Sequence, residues 1–119
     1  MISIKIGETY GKLEPWGTVA DLGSEILEGD AKAFGRMLFG TPDQPVSNGY
    51  FGVTKSKFKM VYPFHEHATV VAGRVILTDL NSGQTVHYGV GDSWFITKGT
   101  HVLWEVPDDI FVKNYMASF

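Results

Sequence analysis

The 119-residue chain contains no cysteine. A disulfide framework is therefore excluded, and so is any thiolate chemistry, nucleophilic or metal-binding. No apolar run approaches the roughly 20 residues of a membrane-spanning helix. There is no basic stripe either. Lys55, Lys57, Lys59, Lys98 and Lys113 are scattered, and the formal net charge is -3. That balance argues against a partner bound by its phosphates. The opening residues, Met1-Ile2-Ser3-Ile4-Lys5-Ile6, carry neither the apolar core nor the cleavage site of a secretory signal. Linkers and low-complexity tracts are missing too. The expectation is a single cytoplasmic domain over 1–119, with no membrane or nucleic-acid partner.

What is present suits one packed core. Hydrophobic residues make up 44% and aromatic residues 13% of the chain, enough for a globule. A chain of this length supports one core, not two. Fourteen glycines punctuate it from Gly7 to Gly99, with short alternating apolar runs between them. Turns at about 8–12 residue spacing predict an all-β sandwich or barrel. No window sustains apolar residues at helical spacing without a glycine intervening.

Residues 1–30 read as a less regular N-terminal extension, packed on the barrel or on a partner. Ile2, Ile4 and Ile6 alternate and offer an edge strand for a dimer. Trp16 is expected against the outside of the core, and Asp21–Gly29 offers at most a helical turn. From there strands are predicted over 33–39, 49–54 and 58–62, with a turn at 55–57. Further strands follow over 65–72, 74–80, 84–88, 93–96, 101–106 and 110–116. Asn81-Ser82-Gly83 marks a hairpin turn.

Two stretches carry a family resemblance. Gly73-Arg74-Val75-Ile76-Leu77-Thr78-Asp79, the turn at Gly83, and Gly91-Asp92-Ser93-Trp94-Phe95-Ile96-Thr97-Lys98-Gly99 together resemble a cupin. The ending, Trp104-Glu105-Val106-Pro107 and then Val112-Lys113-Asn114-Tyr115, narrows the likeness. It resembles small single-domain, RmlC-like cupins of the ethanolamine-utilisation, EutQ-like type, over about residues 33–117. The resemblance implies a double-stranded β-helix, a jelly-roll barrel with a ligand cavity in its mouth. Cupins also usually associate, so it implies a homodimer.

Metal-binding cupins carry His-x-His, three or four residues, Glu, six residues, Gly. A second motif supplies one more His. Alternate residues of a strand share a face, so these groups converge on one ion. Counting back from Gly73 makes Glu66 the motif carboxylate. The histidine positions then hold Met60, Tyr62 and Val102, Thr97 stands where the second motif has proline, and a catalytic metal is not expected. The other register takes His65-x-His67 literally, with His101 as third ligand to a divalent zinc, iron, manganese or nickel. Parity opposes it: if Glu66 points inward, His65 and His67 point outward, and a metal there would sit on the outer face or at an interface. His87 reads as a surface residue and Asp92 as a turn residue.

The expected site is therefore a barrel mouth lined by Met60, Tyr62, Glu66 and Trp104, with Trp94 or Phe95. Lys113 and Tyr115 of the closing Lys-x-Tyr pair complete it. A carboxylate among these rings would be partly desolvated, which suits Glu66 to acid–base work. Besides a purely structural or regulatory dimer, two functions remain open. One is the binding of a modest polar or carbonyl-containing molecule. The other is a cupin enzyme, either a metal-free isomerase-like one with Glu66 as base or a metal-dependent one through His65, His67 and His101.

Overall fold

A computed structural model describes all residues, Met1–Phe119. Nine strands and no helix make up the chain, so no helix is long and apolar enough to cross a membrane. The strands are β1 (Glu14–Thr18), β2 (Glu25–Gly29), β3 (Lys32–Phe39), β4 (Val46–Val61), β5 (His65–Ala72), β6 (Val75–Asp79), β7 (Thr85–Tyr88), β8 (Ser93–Ile96) and β9 (His101–Ser118). All the pairings are antiparallel.

Two long strands organise the rest. β4 and β9 pair along nearly their whole lengths, from Val46↔Ser118 to Val61↔His101. Their register shifts between Thr54 and Ser56, opposite Pro107-Asp108-Asp109. On one side of this irregularity the order is β1-β3-β4-β9-β5-β8. On the other side, β2 joins the second half of β4, and β6, with β7 beyond it, joins the first half of β9. The long strands thus turn from one layer into the other, as strands do at the corners of packed sheets. Each of the strands β1, β2, β7 and β8 has a single partner, so side chains rather than backbone bonds seal the space between the layers.

The irregularity also changes which residues face inward. In β9, Val102, Trp104 and Val106 are buried before it, and Phe111, Lys113, Tyr115 and Ala117 after it. The positions facing the core switch from even to odd because the extra residues shift the two-residue period of the strand, while Val112 and Asn114 between them are buried outside that core cluster. The same switch in β4 takes the inward set from Phe51 and Val53 to Phe58 and Met60.

Several local expectations need correction. Lys55-Ser56-Lys57 is no turn but the bend within β4, and the two predicted closing strands are the single strand β9. Glu25–Gly29 is a strand, not a helical turn, because its backbone pairs with Ser56–Lys59 at the edge of β4. Trp16 packs against the core from outside, as expected. Its ring fills the space where a Cβ on Gly35 would be. Ile2, Ile4 and Ile6 form no strand within the chain and stay exposed.

Gly73 is a glycine for two reasons. Its φ is +71°, and a Cβ there would collide with the carbonyl oxygen of Ile110. The tight return from β5 into β6 beside the β9 bend needs both the left-handed conformation and the missing side chain.

The core is aromatic around Trp104, which is 1% exposed. Phe58 stacks on it at 5.3 Å between ring centroids, while Trp94 and Phe111 meet it edge-on at 5.8 and 5.6 Å. Burying each such side chain contributes about 1.5–3 kcal/mol.

Candidate functional site

Between the layers lies a cavity of about 710 Å³. Its walls are mainly apolar, from Trp16, Phe51, Phe58, Met60, Phe64 and Trp104 among others, and Glu66 and Lys113 are its two charged lining residues. Exposed Leu22 and Phe119 stand at its border.

β5 places Glu66 inward by strand alternation. Glu66, Ala68 and Val70 are buried, whereas His65 is half-buried and His67 exposed. Burying a carboxylate is costly unless donors meet it, and three do. Tyr62 Oη donates to Oε1 at 2.9 Å, and Trp94 Nε1 donates to the same oxygen at 2.9 Å. Lys113 Nζ donates to Oε2 at 2.6 Å. Glu66 and Lys113 side chains are 1% and 6% exposed, so this is a fully desolvated ion pair.

Lys113 sits in an aromatic cage. Its Nζ lies 4.7 Å from the Trp104 ring centroid, 5.1 Å from Phe51, 5.4 Å from Tyr115 and 5.7 Å from Trp94. Ring faces attract an ammonium group, more so when water is absent. Burial nevertheless lowers the Lys113 pKa below its usual value, against the opposing pull of the Glu66 charge. Burial and the Glu66 charge both act the other way on the phenols. Tyr115 is pushed up to about 12. Tyr62 rises well above the ordinary phenol value, only partly opposed by the Trp104 and Trp94 indoles. Both phenols are therefore neutral donors at neutral pH.

One polar group of the core is left over. The buried indole Nε1 of Trp104 has no hydrogen-bond partner. An orphaned buried donor is costly.

The residues anticipated from sequence are thus divided by the structure. Met60, Glu66, Trp104, Lys113 and Tyr115 line the cavity. Tyr62 stands behind Glu66 as a hydrogen-bond support. Of the two ring residues in β8, Trp94 turns inward and Phe95 outward, 63% exposed. The partner of Glu66 is Lys113. Arg74 instead pairs with Asp108 on the surface.

The histidines have other partners. His65 stacks on Phe95, and its Nδ1 accepts the Lys98 backbone N–H at 3.0 Å. The imidazole therefore ties down the loop after β8. His67 is exposed, with Phe95 and Met116 as its cross-strand neighbours. His101, at the far end of β9, has the Asn81 side chain on its backbone N–H. No three His, Asp or Glu side chains are grouped so as to hold a metal ion. His65, His67 and His101 are therefore not brought together as a ligand set.

Sequence reasoning missed Trp16, Phe51, Phe58 and Phe64 as cavity walls. Phe51 carried a usable signal, because alternation in strand 49–54 puts it on the face of Val53. Trp16 carried none, since its position follows from β1 pairing with β3.

This arrangement, two facing antiparallel layers around an interior aromatic site, defines a cupin. A sequence model of the EutQ-like cupin domain matches residues 40–115, and the chain belongs to that family. Solved structures agree on the fold. The EutQ protein of Clostridium difficile is 20% identical with a TM-score of 0.62, over 79% of this chain and 75% of that one. A putative ethanolamine utilization protein from Salmonella typhimurium is 18% identical with a TM-score of 0.62, over 91% and 98%. A protein of unknown function from Pseudomonas syringae reaches a TM-score of 0.76 at 19% identity, over 91% of this chain but 45% of that one. No curated protein matches the chain in sequence.

Proposed function

We propose that the protein binds a small, largely apolar molecule carrying one hydrogen-bond-accepting end, such as a carbonyl, with that end at Lys113. The observation that carries this reading is the pairing of an apolar cavity with a single polar corner. At that corner Lys113 keeps donor capacity beyond its bond to Glu66. The ion pair is neutral as a unit, which favours an uncharged ligand. In this reading Glu66 holds and orients Lys113. Its oxygens already accept three hydrogen bonds, which fix its place beside Lys113.

A thermal-shift series of short-chain amides, ketones, alcohols and carboxylates tests the reading. The expected result is stabilisation by the carbonyl compounds, about 2.7 kcal/mol at a concentration a hundredfold above Kd. The effect should vanish in Lys113→Met. Equal stabilisation of Lys113→Met, or none by any class, would discard the proposal.

We also read the protein as a cytoplasmic homodimer. Phe95, His67, Met116, Asn48 and Phe39 form one cross-strand row over five neighbouring strands. Phe95, Met116 and Phe39 are 63%, 42% and 57% exposed, and exposed apolar side chains interleaved with His67 and Asn48 in one row suit a protein partner. Sedimentation equilibrium is expected to give twice the chain mass, and Met116→Lys to shift it toward the monomer. A monomer throughout would remove the dimer.

A further inference from the structure

Lys113 is the one buried lysine of the chain's eight; six are exposed and Lys57 is half-buried. Its amine faces a cavity large enough for a small organic molecule, beside a carboxylate at 2.6 Å and within four rings. Ligand binding alone does not explain why a lysine occupies this corner. A glutamine or tyrosine would donate to a carbonyl without the cost of a buried charge.

We propose that Lys113 is a nucleophile that forms an imine with aldehydes or ketones entering the cavity. The proposal rests on the cavity reading above and names the substrate class, an apolar carbonyl compound. The ammonium proton passes from Nζ to Glu66 Oε2, leaving the nitrogen lone pair free. That lone pair attacks the carbonyl carbon, and the C=O π electrons move to oxygen, which takes a proton from the newly cationic nitrogen to give a neutral carbinolamine. The C–O bond then breaks. The oxygen leaves as water, carrying the proton returned from Glu66, and the nitrogen lone pair forms the C=N bond of a protonated imine. The sum is ammonium plus carbonyl giving iminium plus water, with no other reactant.

Charge favours the site. The carboxylate–ammonium pair becomes a carboxylate–iminium pair, so the interior stays neutral and the cation stays within the same aromatic cage. Lysines desolvated in apolar pockets are activated for this chemistry, and the lowered basicity of Lys113 from burial is consistent with it. Every tenfold loss of basicity leaves about tenfold more free amine near neutral pH.

The test is reductive trapping of the folded protein with hexanal and cyanoborohydride, read by intact mass and peptide mapping. The expected result is one alkyl adduct on the Lys113 peptide, formed about tenfold or more faster than on any other lysine. Hexanamide, which has no electrophilic carbon able to form an imine, should slow that labelling and also raise the melting temperature. Lys113→Arg keeps a cation beside Glu66, and its fold is checked by circular dichroism. It should lose the fast adduct while keeping the parent protein's spectrum. Labelling confined to surface lysines, with hexanamide still stabilising the protein, would overturn the imine and spare the binding reading. If hexanamide neither protects nor stabilises and labelling is indiscriminate, both fall. Adduct on Lys113 that hexanamide does not slow would also overturn the proposal, since the reaction would then not require the cavity.

Discussion

Glu66→Ala is expected to lower the free energy of unfolding by about 3–5 kcal/mol, the usual cost of removing one partner from a buried ion pair. The pair is 2.6 Å apart, and both side chains are almost wholly out of water. The substitution leaves Tyr62 Oη and Trp94 Nε1 without their acceptor, and it leaves Lys113 as an uncompensated charge. Glu66 is one of the influences holding the Lys113 pKa up. Without it, burial acts alone and Lys113 loses its proton at a lower pH still. The deficit of the variant should therefore shrink as pH rises toward the ordinary lysine value of 10.5, because a neutral amine tolerates burial. Urea denaturation of Glu66→Ala, Lys113→Met and the double variant measures the coupling. Residues in direct contact give interaction terms of about 0.5–3 kcal/mol, so the double variant should be more stable than the sum of the singles predicts. Strictly additive losses would mean that the two groups do not form a pair.

Stability is also expected to fall steeply above pH 10. The Tyr115 phenol is raised from 10.0 to about 12. The folded state therefore keeps a proton that the unfolded chain gives up in that interval. Its contribution is fully present below pH 10 and is lost as pH rises toward about 12. A phenol held that far above its ordinary value contributes about 2.7 kcal/mol. Tyr62, raised well above 10.0, adds a loss of the same sign from the same starting point. Lys113 acts oppositely. Its pKa is lowered, so the unfolded state holds more protons between that value and 10.5, and stability rises with pH across that window. The gain is complete by about 10.5, leaving the tyrosines to dominate beyond it. Melting temperatures in an alkaline pH series of the protein and of Tyr115→Phe isolate the effect, since exposed groups titrate equally in both. Tyr115→Phe should lose less above pH 10. Parallel curves would show that this phenol does not carry the alkaline transition.

Part of the site was legible because strand alternation is a local rule. Counting back from Gly73 singles out Glu66, and period two then separates it from His65 and His67. The structure places all three as that parity requires, since β5 runs without interruption as far as Val70. The closing Lys-x-Tyr pair is marked by resemblance alone. Which way it faces follows from the irregularity at Pro107-Asp108-Asp109, and the sequence does not show how many residues that bend absorbs. The phase of the second half of β9, and with it the inward turn of Lys113, is invisible to periodicity. The strand at Glu25–Gly29 was missed for a related reason. Its glutamates face outward and its backbone is held by the edge of β4, so it shows little apolar alternation.

The sequence by itself determined an all-β cupin chain of the EutQ-like kind, its turns at Gly73 and Asn81-Ser82-Gly83, and the inward placement of Glu66. Glycine punctuation, strand alternation and the closing motif are short-range features that survive without coordinates. Only the tertiary structure decided what meets that carboxylate. The partner is an amine 47 residues away, caged by rings from β4, β8 and β9 and opening on a cavity walled partly by Trp16 from β1. Those contacts depend on where two long strands bend and change phase. That is set by the packing of whole layers rather than by any run of neighbouring residues.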